Sequence, residues 1–493
     1  MAKILILGGG VSGLSAGIYA QMSGHQAIVC EKHTVAGGNL TGWNRGGYHI
    51  DNCIHWLTGT NPATDLYRTW IDLGALYEGI EMHRTETLYT CEQDGKQLSF
   101  CRDMERLEQE MVALSPQDTH IIQSFFKTVR AIQGHMHVAG IGHDQGLTPI
   151  EKLASLPGII KHHCMSTGEF AAQLHHPLLQ DFFCAFIGKQ FSVFAFAVIV
   201  ATFCGENGDI PAGSSCAMLH RMTERFTQLG GELHLKKEAV SVQSQNKHVK
   251  SVTFSDGSMI EADYVIIAFD PAMAYQKLFS RKMPRNLQKE YDRADMHRFS
   301  SYHCALACDV AELPFNSDYI FEISEVYRAN LQTDHLIVRE FSHEKGFAPE
   351  GKNILQTLTL CNEQQAKEFL LLKADKEAYA KKKRAIAEDT IVILEQKFPM
   401  LKGKLKCLDV WTPATYQRYV GSEIGSWMSF ILPPRCIPRK LNNRVKPFQN
   451  VVFSTQWLSA PGGLPVAATE GKRAIDRILK MIGAKTNLPK SVS

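Results

Sequence analysis

No two cysteines stand in a Cys-x-x-Cys spacing anywhere in the chain. The thirteen cysteines are scattered, and Cys304 and Cys308, four apart, have no second pair to complete a zinc site. No metal site is expected. An odd number without regular spacing reads as free, mostly buried thiols in a reducing cytosol. Charge of one sign is also lacking: 53 Lys and Arg stand against 50 Asp and Glu, a net +3. That balance argues against nucleic acid as a partner. No run reaches the roughly 18 apolar residues of a membrane-spanning helix. The nearest, residues 191–204 (FSVFAFAVIVATFC), is long for a strand and short for a span. It reads as a buried helix, a reading compatible with a wall of an apolar substrate channel or a surface that dips into lipid. The start, Met-Ala-Lys and then a strand, has neither the long apolar run nor the cleavage site of a secretory signal. A cytoplasmic location is the expectation. The length of 493 residues predicts two domains or a two-lobed single enzyme, and 44% hydrophobic with 21% charged residues fits a globular protein with a large core.

The first fifty residues carry the strongest signal. Ile4-Leu5-Ile6-Leu7 is a continuous apolar run, as a parallel strand buried on both faces requires. It leads straight into Gly8-Gly9-Gly10-Val11-Ser12-Gly13, and residues 15–21 continue with helical character. Residues 27–30 (AIVC) read as a second strand ending at Glu31. This is the whole dinucleotide-binding context. Gly8 permits the tight turn, Gly10 admits the pyrophosphate to the backbone, and Gly13 lets helix and strand pack closely. The helix N-terminus offers free N–H groups and a positive dipole end. Glu31, eighteen residues after Gly13, is placed to accept from ribose hydroxyls.

The residues after Glu31 distinguish FAD from NAD. Gly37 and Gly38 allow a second close backbone approach to a long cofactor. Gly46-Gly47-Tyr48-His49-Ile50-Asp51 comes next, and then Asn52-Cys53-Ile54-His55-Trp56. Here the chain resembles the FAD-dependent group of phytoene desaturases, carotenoid isomerases and retinol saturases, itself related to the amine oxidases. The resemblance rests on the two glycines after the ribose acid, on Gly47 to Asp51, and on His55-Trp56. It implies that FAD meets Gly8, Gly10, Val11, Ser12 and Gly13 in the first turn. It further implies contacts from Glu31 and Lys32, from Gly37, Gly38 and Asn39, and from Asp51 and His55. Asn39 departs from the pattern: an arginine often stands there, and its charge-assisted contact to a phosphate is missing.

The resemblance returns twice. Pro211-Ala212-Gly213-Ser214 opens a predicted helix at 215–229, followed by strands near 232–235, 239–242 and 262–268, with an Asp256-Gly257 turn. It implies that Val240 meets the adenine end of FAD. At the C-terminal end, a strand at 451–454, a Gly/Pro-punctuated loop at 456–465 and a predicted helix at 466–480 are similar to the family's flavin motif. That motif implies a helix N-terminus facing the pyrimidine edge of the flavin, where its dipole stabilises negative charge. Gly463, Leu464 and Val466 are assigned to that edge. Many members carry Gly-Asp where this chain has Thr455-Gln456, so Gln456 is left to meet a ribityl hydroxyl. No cysteine lies in the loop, and FAD is expected to be non-covalent.

These blocks imply an α/β fold: a Rossmann-type, amine-oxidase-like FAD-binding domain with an inserted α+β substrate domain. The FAD domain is assigned to residues 1–67, 204–282 and 447–484, the substrate domain to 68–203 and 283–446, and a disordered tail to 485–493. No second glycine fingerprint has strand and helix context; Gly421 and Gly425 lack a preceding strand. Electrons therefore pass to or from a visiting partner, such as oxygen, a transient NAD(P) or a quinone.

Two residues are candidates for catalysis. His55 titrates near neutral pH and could move a proton, or be a structural histidine of its loop. Tyr416, in Thr412-Pro413-Ala414-Thr415-Tyr416-Gln417-Arg418-Tyr419, resembles a family segment whose aromatics line the cavity, or packs a domain junction. Asp51 more often orients backbone than does chemistry. The run Lys381-Lys382-Lys383-Arg384 reads as a solvated helix face. The basic, proline-broken stretch 433–440, with Arg444 and Lys446, reads as a surface loop or as a dock for anionic lipid. Three functions stay open: hydrogen transfer to or from C–C bonds of an apolar polyene, retinoid or lipid, including redox-neutral isomerisation; amine oxidation; and non-enzymatic lipid escort.

Overall fold

The computed structural model describes residues 1–135, 149–293, 297–436 and 440–484. The predicted tail at 485–493, and Ile437, Pro438 and Arg439 of the basic stretch, lie outside them. A parallel five-stranded sheet forms one lobe. Its order is Glu232–His234, Gln26–Cys30, Lys3–Leu7, Tyr264–Ile267 and Val451–Phe453. Alternate residues serve two cores. Ile4, Ile6, Ala27, Val29, Ile266 and Val452 pack beneath the helices Val11–Met22, Ser214–Gln228 and Leu464–Ile482. Leu5, Leu7, Ile28, Val265, Ile267 and Phe453 pack toward the antiparallel strands Ala239–Gln245 and His248–Phe254. Burial on both faces is why these strands read as unbroken apolar runs.

The lobe closes around small residues. A Cβ on Gly13 would stand 1.9 Å from the carbonyl oxygen of Gly8, and one on Gly471 would stand 2.3 Å from Ser15 Oγ. The first glycine seats the Val11–Met22 helix on its strand. The second lets Leu464–Ile482 cross that helix, where Ser15 Oγ donates to the Ala468 carbonyl at 2.6 Å.

The other lobe is built on a seven-stranded mixed sheet. Its order is Leu405–Trp411, Phe299–Cys308, Asn353–Asn362, His335–Glu340, Asp318–Glu322, Thr87–Gln93 and Lys96–Cys101. All seven strands fall within 68–203 and 283–446. The stretch 191–204 forms the helix Val193–Cys204, capped by Ser192, whose Oγ accepts from Ala195 N–H. Phe196, Ala197, Val200 and Phe203 bury one side of it in a phenylalanine-rich core. The basic run at 381–384 lies in the helix Lys376–Lys397 and is not wholly solvated. Lys382 Nζ donates to the Asn330 carbonyl at 2.6 Å, and Lys383 lies 3.7 Å from Asp409. Among the described residues no helix is long and apolar enough to cross a membrane.

Candidate active site

A cavity of about 1610 Å³ runs between the lobes. A drug-sized ligand fills roughly 300–1,000 Å³, so this space admits a long dinucleotide and a second molecule. One end is the first turn. Gly8 takes φ +107°, and the Val11–Met22 helix begins at Gly10 with no side-chain cap, leaving its first N–H groups for a ligand. A Cβ on Gly10 would meet nothing nearer than 3.8 Å, so the backbone lies open there. Glu31 lines the cavity with both oxygens engaged: Oε2 accepts from Gly9 N–H at 2.8 Å and Oε1 from His33 N–H at 2.9 Å. A carboxylate has about four lone-pair positions, so two remain for ribose hydroxyls. Gly37, at φ +114°, donates to the Gly9 carbonyl at 2.8 Å and holds the second glycine pair beside the first turn. Val240 and Lys32 line the same end, although Lys32 Nζ is already committed to the Arg418 carbonyl at 2.6 Å.

The second helix N-terminus, at Leu464, also opens on the cavity without a side-chain cap, and Gly463, Leu464 and Val466 line it. The two departures from the family pattern meet here. Asn39 Nδ2 and Gln456 Nε2 donate to one acceptor, the Trp427 carbonyl, at 2.8 and 3.1 Å. Gln456 Oε1 accepts from Gly463 N–H at 2.7 Å. Gln456 thus shapes the glycine loop, and its second Nε2 hydrogen and second Oε1 lone pair are left for the ribityl hydroxyl expected of it. A Gln456→Ala variant leaves the Gly463 N–H without its acceptor, and two hydrogen bonds at about 1 kcal/mol each predict FAD binding weaker by roughly tenfold to thirtyfold. Flavin-fluorescence titration of the apoprotein measures it, and unchanged affinity would show the loop to be held otherwise.

Asp51 is a further correction. It is fully buried and does not line the cavity. Its oxygens accept from Ser215 N–H and Oγ at 2.9 and 2.7 Å and from Cys53 N–H at 3.1 Å. This tie locks the strand Tyr48–Asp51 onto the start of the helix Ser214–Gln228, away from the cavity lining.

Toward the substrate lobe the lining becomes apolar: Phe186, Ile187, Phe191, Phe194, Val198 and Ile199, with Leu156 and Ile159 from the helix Pro149–His163. The helix Val193–Cys204 is therefore both core and channel wall. Tyr416, His303 and Asn52 form a polar cluster in the lining of the same cavity. The Tyr416 hydroxyl accepts from Trp411 Nε1 at 3.0 Å, donates to Asn52 Oδ1 at 2.9 Å and lies 3.0 Å from His303 Nε2. Ser301 Oγ, 2.7 Å from His303 Nε2, can donate there instead, so one phenol proton suffices. The His303 ring stacks on Trp411, centroids 4.6 Å apart. Burial holds the Tyr416 phenol well above its usual range. Burial, with the Arg339 guanidinium, holds His55 well below 6.5. Both catalytic candidates therefore line the cavity as neutral groups, and His55 is a poor base at neutral pH. Burial likewise pushes the cavity-lining thiols of Cys30 and Cys53 up to about 12, keeping them protonated.

Sequence reading missed His303, Asn52, Trp427 and the pair Arg339 and Asp318. The available signal was a polar side chain on a strand of buried residues: His303 and Ser301 share a face of Phe299–Cys308, all but its first residue buried. Asp318 Oδ2 lies 3.8 Å from His55 Nδ1 and 3.6 Å from Arg339 Nε, and burial pushes its carboxyl up to about 7.

These shifts set a pH dependence. Burial also takes His162 down to about 4. With folded-state values depressed at His55, His162 and His303, the unfolded chain binds more protons below 6.5. The stability they contribute is present above 6.5 and lost as pH falls, by about 1.4 kcal/mol per pH unit for each histidine. Asp318 has the opposite sign, its contribution being lost as pH rises through about 7. Urea unfolding between pH 7 and pH 5 is expected to show the acid loss, with a shallower slope in His162→Asn. A flat profile would contradict the buried, neutral histidines.

The residues fit FAD: Glu31 would take the adenosine ribose, the open start of the first helix the diphosphate and the Gly463 loop the flavin. Residues 11–307 match the family described as flavin containing amine oxidoreductase. The chain is 22% identical over 288 residues to a phytoene desaturase (lycopene-forming) of Pseudescherichia vulneris, spanning 56% of this chain and 58% of that one. It is 21% identical over 510 residues to a 4,4'-diaponeurosporene oxygenase of Staphylococcus aureus, spanning 96% and 97%. Among solved structures, an oxidoreductase of Methanosarcina mazei shares the fold at TM-score 0.58 and 16% identity, covering 96% of this chain and 100% of that one. A putrescine oxidase bound to putrescine shares it at 0.56 and 13%, covering 97% and 99%. With well over half of its length matched and the dinucleotide cradle in place, the chain belongs to the flavin containing amine oxidoreductases and is an FAD-dependent oxidoreductase.

Proposed function

We propose that this enzyme moves two hydrogens between FAD and carbon–carbon bonds of an apolar polyene, retinoid or other lipid. The observation that carries this is the second limb of the cavity, walled by Phe186, Phe191, Phe194, Val198 and Ile199. The acids that line the cavity, Glu31, Glu238, Asp270 and Glu470, belong to the FAD lobe. Among the described residues, none lies on the apolar wall to pair with an ammonium group. Amine oxidation, suggested by the fold shared with putrescine oxidase, is for that reason the weaker reading. The named activities of the desaturase and oxygenase relatives point the same way.

FAD supplies a two-electron hydride acceptor or donor. The chain's own part is to exclude water with the apolar wall, to place the substrate by burial, and to keep the Tyr416–His303–Asn52 cluster neutral beside it. A visiting nicotinamide or quinone completes the electron balance. The test is anaerobic. The holoprotein, reduced by dithionite, is mixed with polyenes, enones and amines while its absorbance is followed. Return of the oxidised spectrum with an unsaturated apolar compound supports the reading. Reduction of the oxidised protein by amines alone, with no unsaturated compound reoxidising the reduced form, defeats it.

A further inference from the structure

We infer that His55 and Asp318 move the proton that accompanies the hydride: His55 exchanges it with the substrate, and Asp318 stores it behind His55. The step rests on the reaction proposed above. Two hydrogens moved across a carbon–carbon bond, one of them as a hydride, leave one proton for the neighbouring carbon. Among the described residues the apolar wall offers no acid. Tyr416 spends its proton on Asn52, and His303 Nε2 is held by Ser301 and Tyr416. His55 also lines the cavity, and its ring makes no hydrogen bond to the described residues. Its neighbour Trp56 lines the cavity too and packs on Phe186 of the apolar wall, centroids 5.7 Å apart.

Asp318 is not part of the lining; its Oδ2 lies 3.8 Å from His55 Nδ1 and 3.6 Å from Arg339 Nε. Arg339 is fixed in turn, its Nη2 donating at 2.9 Å to the carbonyl of Ile54, one residue before His55. A carboxylate whose task is to hold an arginine closes to hydrogen-bond distance, often with two parallel bonds. Here the Asp318 carboxyl accepts no hydrogen bond from the described residues, and Arg339 Nε is buried without a partner. Burial pushes this carboxyl up to about 7, so near neutral pH it both holds and releases a proton. A proton crosses 3.8 Å through one water or a slight turn of the ring. The charged and titratable groups that face the pair are Arg339, Glu340 and His343 around Asp318, and Arg339, Asp51 and His303 around His55. Tyr89, paired with Asp318 on the next strand, gives its hydroxyl to the Phe182 carbonyl. In saturation, one alkene carbon takes the hydride with its electron pair. The π pair of the double bond binds the proton of the His55 ring N–H on the next carbon. Asp318 then returns a proton to His55 Nδ1 and regains its own from water. The substrate gains two electrons and two hydrogens, FAD gives up the two electrons, and desaturation runs the same transfers backward.

Two measurements on the FAD-loaded full chain test this. The first needs no substrate. Infrared spectra of wild type minus Asp318→Asn cancel the band of Asp270, which titrates at about 6. The difference is expected to show one protonated carboxyl that disappears as pH rises through about 7. In the second, the reduced protein is mixed with an unsaturated apolar compound that reoxidises it. The wild-type rate should fall as pH rises through about 7, because the proton donor is lost. Asp318→Asn should react roughly 100-fold more slowly and without that bend, with FAD content and dithionite reduction unchanged. Asp318→Glu should restore the bend, and His55→Gln should lose the rate while keeping the infrared band. A purely structural Asp318 would lower the rate without moving the bend. Absence of the carboxyl band, or a wild-type rate and pH profile in Asp318→Asn or His55→Gln, would overturn the inference and leave the parent reaction standing. A wild type that no unsaturated compound reoxidises would remove the parent reaction and this step together.

Discussion

A Gly13→Ala variant is expected to purify without flavin colour and to unfold at markedly lower urea concentration than the wild type. The added methyl would stand 1.9 Å from the Gly8 carbonyl oxygen and 3.1 Å from its carbon. Both are backbone atoms of the turn that faces the diphosphate, so neither can swing aside as a flexible side chain would. Either the helix Val11–Met22 lifts off its strand, or the turn at Gly8 deforms. The first strips apolar contacts from the core beneath Ile4 and Ile6. The second misplaces the open backbone at Gly10. Overpacking typically costs about 1–3 kcal/mol, and a backbone clash belongs at or above the top of that range. Retained flavin absorbance with a wild-type unfolding midpoint would show that the turn is not the cradle described.

The second large effect is expected in the apolar limb. Val198 lies on the helix Val193–Cys204, half-buried, with its side chain on the cavity. A Val198→Trp variant places an indole into an existing space of about 1610 Å³ and not into packed core. Stability and FAD content should therefore change little. A long apolar substrate, displaced by an ångström or more from its reactive position, should lose roughly 100-fold in kcat/KM. Dithionite reduction of the flavin, which needs no substrate pocket, should proceed as before. Steady-state rates with unchanged kcat/KM would place the substrate elsewhere.

How much of this was legible in the sequence depends on how local each signal is. The fingerprint from Gly8 to Glu31 was legible because turn, helix start and ribose acid are consecutive in the chain, and each imposes its own residue type. That three separated stretches build the five-stranded sheet was legible from the order of their motifs. The partners of Asn39 and Gln456 were not, because both meet a backbone carbonyl at Trp427, and a carbonyl leaves no mark on the identity of its residue. The loop 421–427 that supplies it showed only that it was no second nucleotide fingerprint. Asp51 was assigned to the cofactor because its motif borders the flavin segment, whereas its carboxylate turns inward to Ser215, 164 residues away. The cluster of Tyr416, His303 and Asn52 joins three distant stretches and exists only once the strands are in register.

The most direct measurement of the central claim is a single anaerobic turnover with the product identified by mass. One equivalent of the dithionite-reduced enzyme, freed of reductant, is mixed with a polyene that reoxidises it, and the extract is analysed by mass spectrometry. The predicted result is one product per flavin reoxidised, carrying two hydrogens more than the substrate, and the reverse change when oxidised enzyme meets the saturated partner. Recovery of the polyene unchanged, with turnover confined to deamination of amines, would contradict it.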